Sequence, residues 1–480
     1  MRNSSRFHGH SKPEPLGLEC IAACLARAGY QCAFCSRHEL SVSRQCQSAS
    51  VSLISGLTCE WGTVLKSAAD ARTRNSAVIL GGYHAGEALT SRAGTLVDSI
   101  VIGEGEEASV ALVGHYLDLQ EAGASRHGSL RRAFPAVVRS SRIADLDGLP
   151  FPLRSEGRMT AYRLCDLMWP AASCQHNVAL VLASRGCLNN CDFCASSTVW
   201  GQGVRFRSPG NIVAELQDLK CQFETNAIVI IDQSFGQAKQ WTLDVCQSIR
   251  QANLGMSWYH QSNLTVDREV LQAMAEAGCT KIGFGLEGIS PRAVERIKPP
   301  NPSDFDVVND LFDFCNSLGM FVKIYLMIGF PWETEEIVAE YLDCIRRLRG
   351  NQVKISYMTP FPGTAYWKQY SGQLVSRDWS DFDTVSMPVV YNPNISVERY
   401  HAIRQALFHT YYSSLAYAEV TERMLRAFPH YRQSYQEFAA YLRAHGMVTG
   451  EEVWLDWVGP VEWPTGVVIP SPAGGAPPCR

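Results

Sequence analysis

The sequence has no surplus of positive charge. Its 480 residues carry 43 Lys and Arg against 47 Asp and Glu, a formal net charge of −4. Without a basic stripe there is no electrostatic footprint for a phosphate backbone, which argues against a nucleic-acid partner. It also lacks any apolar stretch near the roughly 18 to 20 residues that a bilayer span needs. The opening "MRNSSRFHGHSKPEP" has no hydrophobic signal region, so the expectation is a cytoplasmic protein with no membrane partner. Paired cysteines are missing as well. Seventeen is an odd number, and no further C-x2-C pair follows the one ending at Cys194, which argues against both a complete disulfide framework and a closed zinc site.

What is present is "SRGCLNNCDFCASS", residues 184–197, with Cys187, Cys191 and Cys194 at spacing C-x3-C-x2-C behind an apolar run. Three thiolates without a fourth suit a four-iron cluster that keeps one iron open. Other cysteines are bland by comparison. Cys246, Cys315 and Cys344 lie on apolar helical faces and read as small buried hydrophobes. In the early group, Cys20 and Cys24 share a helical face, whereas Cys32 and Cys35 lie three apart in a segment that reads as a strand and so point to opposite sides. That geometry predicts no metal there.

The fold class reads as α/β. Residues 1–140 alternate helix and strand, with "QCAFCS", "SVSLISGL", "SAVILGG" and "DSIVIGEGE" as strands of a Rossmann-like parallel sheet. A linker, 141–175, carries the aperiodic "IADLDGLPFPLRSEG". Residues 176–375 hold six strand–helix units, "NVALVLAS", "AIVIID", "MSWYHQSNLT", "KIGFGLEG", "FVKIYLMIGF" and "VKISYMTPF" opening them, which predicts a partial (β/α)6 barrel. The extension 376–480 is mostly helical. Its Tyr- and His-rich stretches "HTYYSSLAY" and "FPHYRQSYQEF" are expected near the barrel mouth, and its end, "PSPAGGAPPCR" with Cys479, reads as disordered.

The cysteine motif with Phe193 before its last cysteine, after the first strand of a six-fold barrel, resembles the radical S-adenosylmethionine (SAM) superfamily. "IVIIDQSF", "GFGLEG", "MIGFPWET" and "TPFPGTAYW" continue the likeness to about residue 370. The resemblance implies a 4Fe-4S cluster on Cys187, Cys191 and Cys194 whose open iron binds SAM, and an electron that cleaves SAM to methionine and a 5′-deoxyadenosyl radical. It implies an external donor of the flavodoxin or ferredoxin type. Glu287 would accept from the ribose hydroxyls, Gly283 and Gly285 would admit the ligand, Asp232 would lie near the SAM amino group, and Gln261 or Ser262 near its carboxylate.

"SGL" at 55–57 followed by "GG" at 81–82, with "LGGYHAG", "VIGEGEE" and "LPFPLRS", is similar to the cobalamin-binding domains fused to such barrels. That likeness implies cobalamin held by Ser55, Leu57, Gly81, Gly82 and Gly103. The Asp-x-His-x-x-Gly motif is absent, and "SRHEL" around His38 does not replace it, so no histidine is expected on cobalt. Cys59 or Trp61 would cover the lower face instead. Together the two likenesses imply a cobalamin-dependent radical SAM methyltransferase acting on an unactivated carbon of a small-molecule substrate; the alternative they imply is a cobalamin-binding radical SAM enzyme that catalyses a non-methylating rearrangement, cyclisation or oxidation.

Overall fold

A computed structural model describes residues 14–34, 48–86, 95–122, 137–155, 159, 168–171 and 176–459. His38, Cys35, Cys479 and the Pro/Gly-rich end lie outside the described residues. Among the described residues, no helix is long and apolar enough to cross a membrane.

The N-terminal part is a four-stranded parallel sheet in the order β1 (Val51–Ser55), β2 (Ala77–Gly81), β3 (Ser99–Ile102), β4 (Val137–Arg139). Its central strand is apolar throughout because both faces are covered. Val78 and Leu80 pack with Val64, Ala68 and Ala71 of the helix Trp61–Thr73. Ala77 and Ile79 point the other way, to Leu25 of the helix Leu16–Arg27 and to Leu112, Val113 and Tyr116 of the helix Gly105–Glu121. One expected strand is corrected. Gln31–Phe34 forms no strand; the chain instead turns back over the first helix, where the Cys32 thiol donates to the Ala22 carbonyl at 3.7 Å. β4, only three residues long, was too short to show a period in the sequence.

The central part is a six-stranded parallel sheet, β5 (Val178–Val181), β8 (Ala227–Ile230), β9 (Ser257–Ser262), β10 (Cys279–Glu287), β11 (Phe321–Ile328) and β12 (Gln352–Tyr357), paired in chain order. β5 and β12 are the two edges and do not pair, so the barrel is open. The helices between strands start where short polar side chains take up the first free backbone N–H groups: Ser208, Asp267, Ser290, Asp304 and Thr334 each accept one. An antiparallel hairpin, β6 (Ser184–Cys187) with β7 (Gly203–Phe206), is inserted after β5 and ends on the first cysteine of the motif.

The C-terminal helices correct a second expectation. Tyr411, Tyr412, Tyr417 and Tyr435 are buried, and they lie at the starting ends of the strands. The Tyr412 hydroxyl accepts from Val353 N at 3.3 Å, Asn351 donates to Tyr435 at 3.2 Å, and Tyr431 donates to the Gly319 carbonyl at 3.1 Å. These tyrosines therefore close the base of the barrel, away from its mouth, because burying large rings outweighs any use for them beside a solvent-filled opening.

The two α/β parts are joined through charge. Arg185, on β6, reaches Glu104 at 2.8 Å and Glu106 at 2.5 Å, and all three side chains are buried. Its guanidinium also lies 5.1 Å from the ring of Trp200, whose indole N–H donates to the Tyr83 hydroxyl at 3.1 Å. Arg185→Met would leave the buried Glu106 carboxylate without its cation, while Glu104 keeps Arg205 at 2.5 Å; breaking such a buried pair costs about 3 to 5 kcal/mol. The expected outcome is a lower denaturant midpoint for the first unfolding transition of the full chain. A change below about 1 kcal/mol would mean that the pairs behave as solvated ones.

Candidate active site

The site is assembled at the carboxyl ends of the barrel strands. Cys187 closes β6, and Cys191 and Cys194 follow in the loop. The hairpin can bear a cysteine there because Gly186, at φ 101°, faces Gly203: a Cβ would fall 2.1 Å from the Gly203 carbonyl oxygen. The loop is held from behind by the segment after β8. Gln233 accepts from Gly186 N at 3.0 Å and Gln237 from Leu188 N at 2.9 Å.

Asp232 belongs to this scaffold, which corrects its expected place beside SAM. It is buried, and its carboxyl accepts from Ala183 N at 2.8 Å and from the Ser184 hydroxyl. Burial pushes that carboxyl up to about 6 against those hydrogen bonds. The adjacent Gln233 lines the cavity in its place.

All three motif cysteines are free and partly exposed. Asn189 N lies 3.4 Å from the Cys187 sulfur and Ser196 N 3.4 Å from that of Cys194. Burial pushes the Cys191 thiol up to about 11, opposed by the ammonium of Lys298, and burial also raises Cys194. Among the described residues no three His, Cys, Asp or Glu side chains converge on one point as ligands of a single ion. A cluster does not ask for that, since each thiolate binds a different iron. Free thiols on a turn that already aims backbone N–H groups at two sulfurs fit such a group.

Beside them lies a cavity of about 260 Å³, lined by Phe193, Gln261, Ser262, Gly285 and Glu287, with Lys298 and Tyr325. Glu287 ends β10 at φ 69°, after a register slip between Gly285 and Glu287 that re-aims its side chain. Gly285 has a clear reason: a Cβ there would lie 2.4 Å from Glu287 Oε1 and 3.0 Å from Lys298 Nζ. Lys298 and Asn301 both donate to the Gly285 carbonyl, at 3.0 and 2.6 Å. Lys298 Nζ stands 3.8 Å from Glu287, close enough to oppose the upward push of burial on that carboxyl while leaving its oxygens to other donors. The Gln261 amide donates to Tyr325 at 3.1 Å, and the Ser262 hydroxyl donates to the Phe235 carbonyl at 2.8 Å.

Gly283 is corrected. It makes room for protein, not ligand: a Cβ would meet Tyr325 at 2.8 Å and the Tyr259 hydroxyl at 2.9 Å, two side chains bonded to each other at 2.6 Å. Lys298, Asn301, Tyr325 and Gln233 were missed in the sequence. Only the strand register, which puts Tyr325 opposite Gly285, would have found the third of them.

The residues singled out in the N-terminal sheet gather at its carboxyl edge. Ser55 is exposed at the end of β1, and Gly82 turns at φ 100°, where a Cβ would fall 2.7 Å from Ser55 Oγ. Gly103, at φ 102°, similarly faces Ser140. Among the described residues, Gly81 has nothing nearer to its Cβ position than a carbonyl oxygen at 4.0 Å, so it leaves a groove that they do not fill. Leu57 is exposed beside it, its N–H donating to Glu60 at 2.9 Å. Cys59 is half-buried, its thiol pushed up to about 12 by burial. Trp61 cannot cover a ligand, a further correction. It is buried and stands edge-on to His84 at 4.6 Å, and His84 in turn to Trp379 at 4.4 Å, because an indole gains more from the core than from an exposed groove.

Glu333, on the loop after β11, is buried and ties the rim together. It accepts from Gly329 N at 2.7 Å, Phe330 N at 3.0 Å, Tyr400 at 2.7 Å and Tyr341 at 3.1 Å. Burial still pushes its carboxyl up to about 7 from 4.5. The fold then binds the proton more tightly than the unfolded chain does, so stability falls as pH rises from about 4.5 to about 7, by about 3 kcal/mol. Glu333→Gln should lose less stability over that range, measured as denaturant midpoints at both ends. Parallel profiles for the two proteins would remove Glu333 as the source.

Residues 181–345 match the model of the Radical SAM superfamily. An uncharacterized methyltransferase of Pyrococcus horikoshii is 29% identical over 352 residues, covering 70% of this chain and 72% of its own. The hopanoid C-3 methylase of Methylococcus capsulatus is 28% identical over 207 residues, 42% of this chain, and the chain spans only 38% of the methylase. Among solved structures, the radical S-adenosylmethionine methyltransferase TsrM from Kitasatospora setae, with cobalamin and a 4Fe-4S cluster bound, superposes with a TM-score of 0.64 at 13% identity, over 90% of this chain and 97% of that one. That is a likeness of fold, and it extends through both α/β parts.

Proposed function

Given that this chain is a radical SAM enzyme, we propose that it methylates an unactivated carbon of a small-molecule substrate, with a 4Fe-4S cluster on the barrel and cobalamin on the N-terminal sheet. The observation that carries the proposal is the hydrogen bond from Trp200, on the helix just after Cys194, to Tyr83, next to Gly82. It brings the cysteine loop and the open glycine edge to the same face, so one substrate can meet both.

When bound, the cluster supplies an electron at the SAM sulfonium and the corrinoid supplies a methyl group. The chain does the rest by holding and excluding. Cys187, Cys191 and Cys194 would hold three irons, and the Lys298 ammonium offsets the thiolate charge. Glu287 would accept from ribose hydroxyls, with Gly285 leaving the space it needs. Phe193, packed 6.2 Å from Tyr366, keeps water from the loop. Ser55 would donate to the nucleotide tail of cobalamin while Gly81 and Gly82 let it pass. Leu188 is exposed next to Cys187, which leaves the loop open to an electron-donor protein.

Anaerobically reconstituted protein should bind about four irons per chain, and Ala at any one of the three cysteines should abolish 5′-deoxyadenosine formation. Cys20→Ala should leave the iron in place. With substrate present, each product should come with one 5′-deoxyadenosine and one S-adenosylhomocysteine, quantified by mass spectrometry. 5′-Deoxyadenosine without S-adenosylhomocysteine would favour a rearrangement, cyclisation or oxidation on the same cluster.

In Gly81→Val the added Cβ has no closer described neighbour than the Val101 carbonyl oxygen at 4.0 Å, so the variant should lose cobalamin while keeping iron and stability, read from the corrin absorbance, the iron content and the denaturant midpoint. Full retention of cobalamin would move its tail away from this edge.

A further inference from the structure

Three lysines stand on the inner wall of the barrel, on neighbouring strands. Lys281 and Lys323 lie toward its base: Lys281 donates to Gln352 at 2.9 Å and to the Trp169 carbonyl, and the Lys323 ammonium lies 5.1 Å from the Tyr325 ring. Lys354 is higher. The register aligns Gly285 of β10 with Tyr325 of β11, and Tyr325 with Lys354 of β12. Gly285, Tyr325 and Ser356 line the cavity, and Lys354, two residues before Ser356, lies on the same face of β12 just below that lining.

Among the described residues its ammonium has neither a hydrogen bond nor an ion pair, and the side chain is only half-buried. The charges that reach it are Arg404 and Asp383. Arg404 donates to the Ile355 and Val385 carbonyls at 2.8 and 3.2 Å, packed between Tyr357 and Phe408. Asp383 turns its oxygens to Val385 N at 2.9 Å, Ser386 N at 2.7 Å and the Ser386 hydroxyl. Desolvation, with Arg404 beside it, holds the ammonium of Lys354 below its ordinary value. A cation kept inside a barrel with no carboxylate in ion-pair contact among the described residues costs free energy that a bound anion would offset.

We propose that the substrate carries a carboxylate or phosphate group and that Lys354 seats it on β12, as a specificity-determining contact within the barrel. This rests on the cavity being the substrate chamber, but it needs no methyl transfer to be tested. The holoenzyme is labelled with trace acetic anhydride, in acetate, inorganic phosphate or chloride at equal ionic strength, and each lysine peptide is quantified. Acetate or phosphate should suppress labelling of Lys354 saturably, by about tenfold, relative to the exposed Lys66 and Lys368. Whichever anion acts at the lower concentration names the group. Suppression should persist with SAM bound, and Lys354→Met should leave SAM affinity within about twofold by equilibrium dialysis.

Lys354 that fails to label, or that labels equally in all three salts, overturns the site. SAM alone giving the same suppression, with weaker SAM binding by Lys354→Met, would assign the lysine to the carboxylate of SAM and overturn the proposal too. Absence of S-adenosylhomocysteine in turnover would instead count against methyl transfer and leave this site standing.

Discussion

Arg185 lies two residues before the first motif cysteine, and the two carboxylates that hold it come from the other α/β part of the chain. A buried guanidinium needs partners, and here Glu104 and Glu106 are those partners. The docking of the N-terminal sheet and the position of the cysteine loop are therefore one structural fact. Trp200, against which Arg185 packs, extends the junction to Tyr83 beside the glycine edge. If this contact shifted, the distance between the two candidate sites would shift with it.

Around that junction, most polar side chains at the barrel mouth hold backbone in place. Asp232, Gln233 and Gln237 fix the segment running into the cysteine loop. Glu333 fixes the loop after β11 with four donors, and Asn392 adds a bond to the Phe330 carbonyl at 2.8 Å. Buried polar networks of this kind tolerate little slack, because each unpaired member costs desolvation. The groups on which the proposals rest, the three thiols, Glu287 with Lys298, and Lys354 on β12, project from backbone held in this way.

The tyrosines at the base have a complementary role. Tyr411, Tyr412, Tyr417 and Tyr435 pack with Trp454 under the open edge of the barrel, where β12 has no strand partner on its far side. Their rings supply the buried area that an eight-stranded barrel would gain by closing.

The sequence by itself determined the six barrel strands and the cysteine loop, but not β4 or the β6–β7 hairpin. Apolar runs such as Val178–Val181, Ala227–Ile230 and Phe321–Ile328, separated by helical patterns, announce covered parallel strands, since burial on both faces demands such runs. C-x3-C-x2-C, with Phe193 before its last cysteine, carries the resemblance to the radical SAM superfamily, and Glu287 and Gly285 stand out within that resemblance because they sit at a strand end. Tertiary structure decided which neighbour in a loop faces inward. Asp232 and Gln233 are adjacent and aperiodic, so no pattern could tell that the first locks the scaffold and the second lines the cavity. It also decided what the glycines serve, with Gly283 making room for two tyrosines and Gly81 leaving a groove. Arg185 acts through carboxylates far away in sequence, and the charges that reach Lys354 lie on Arg404 and Asp383, on later segments of the chain. Coulomb and desolvation energies depend on distance and burial in space, which only the folded chain defines.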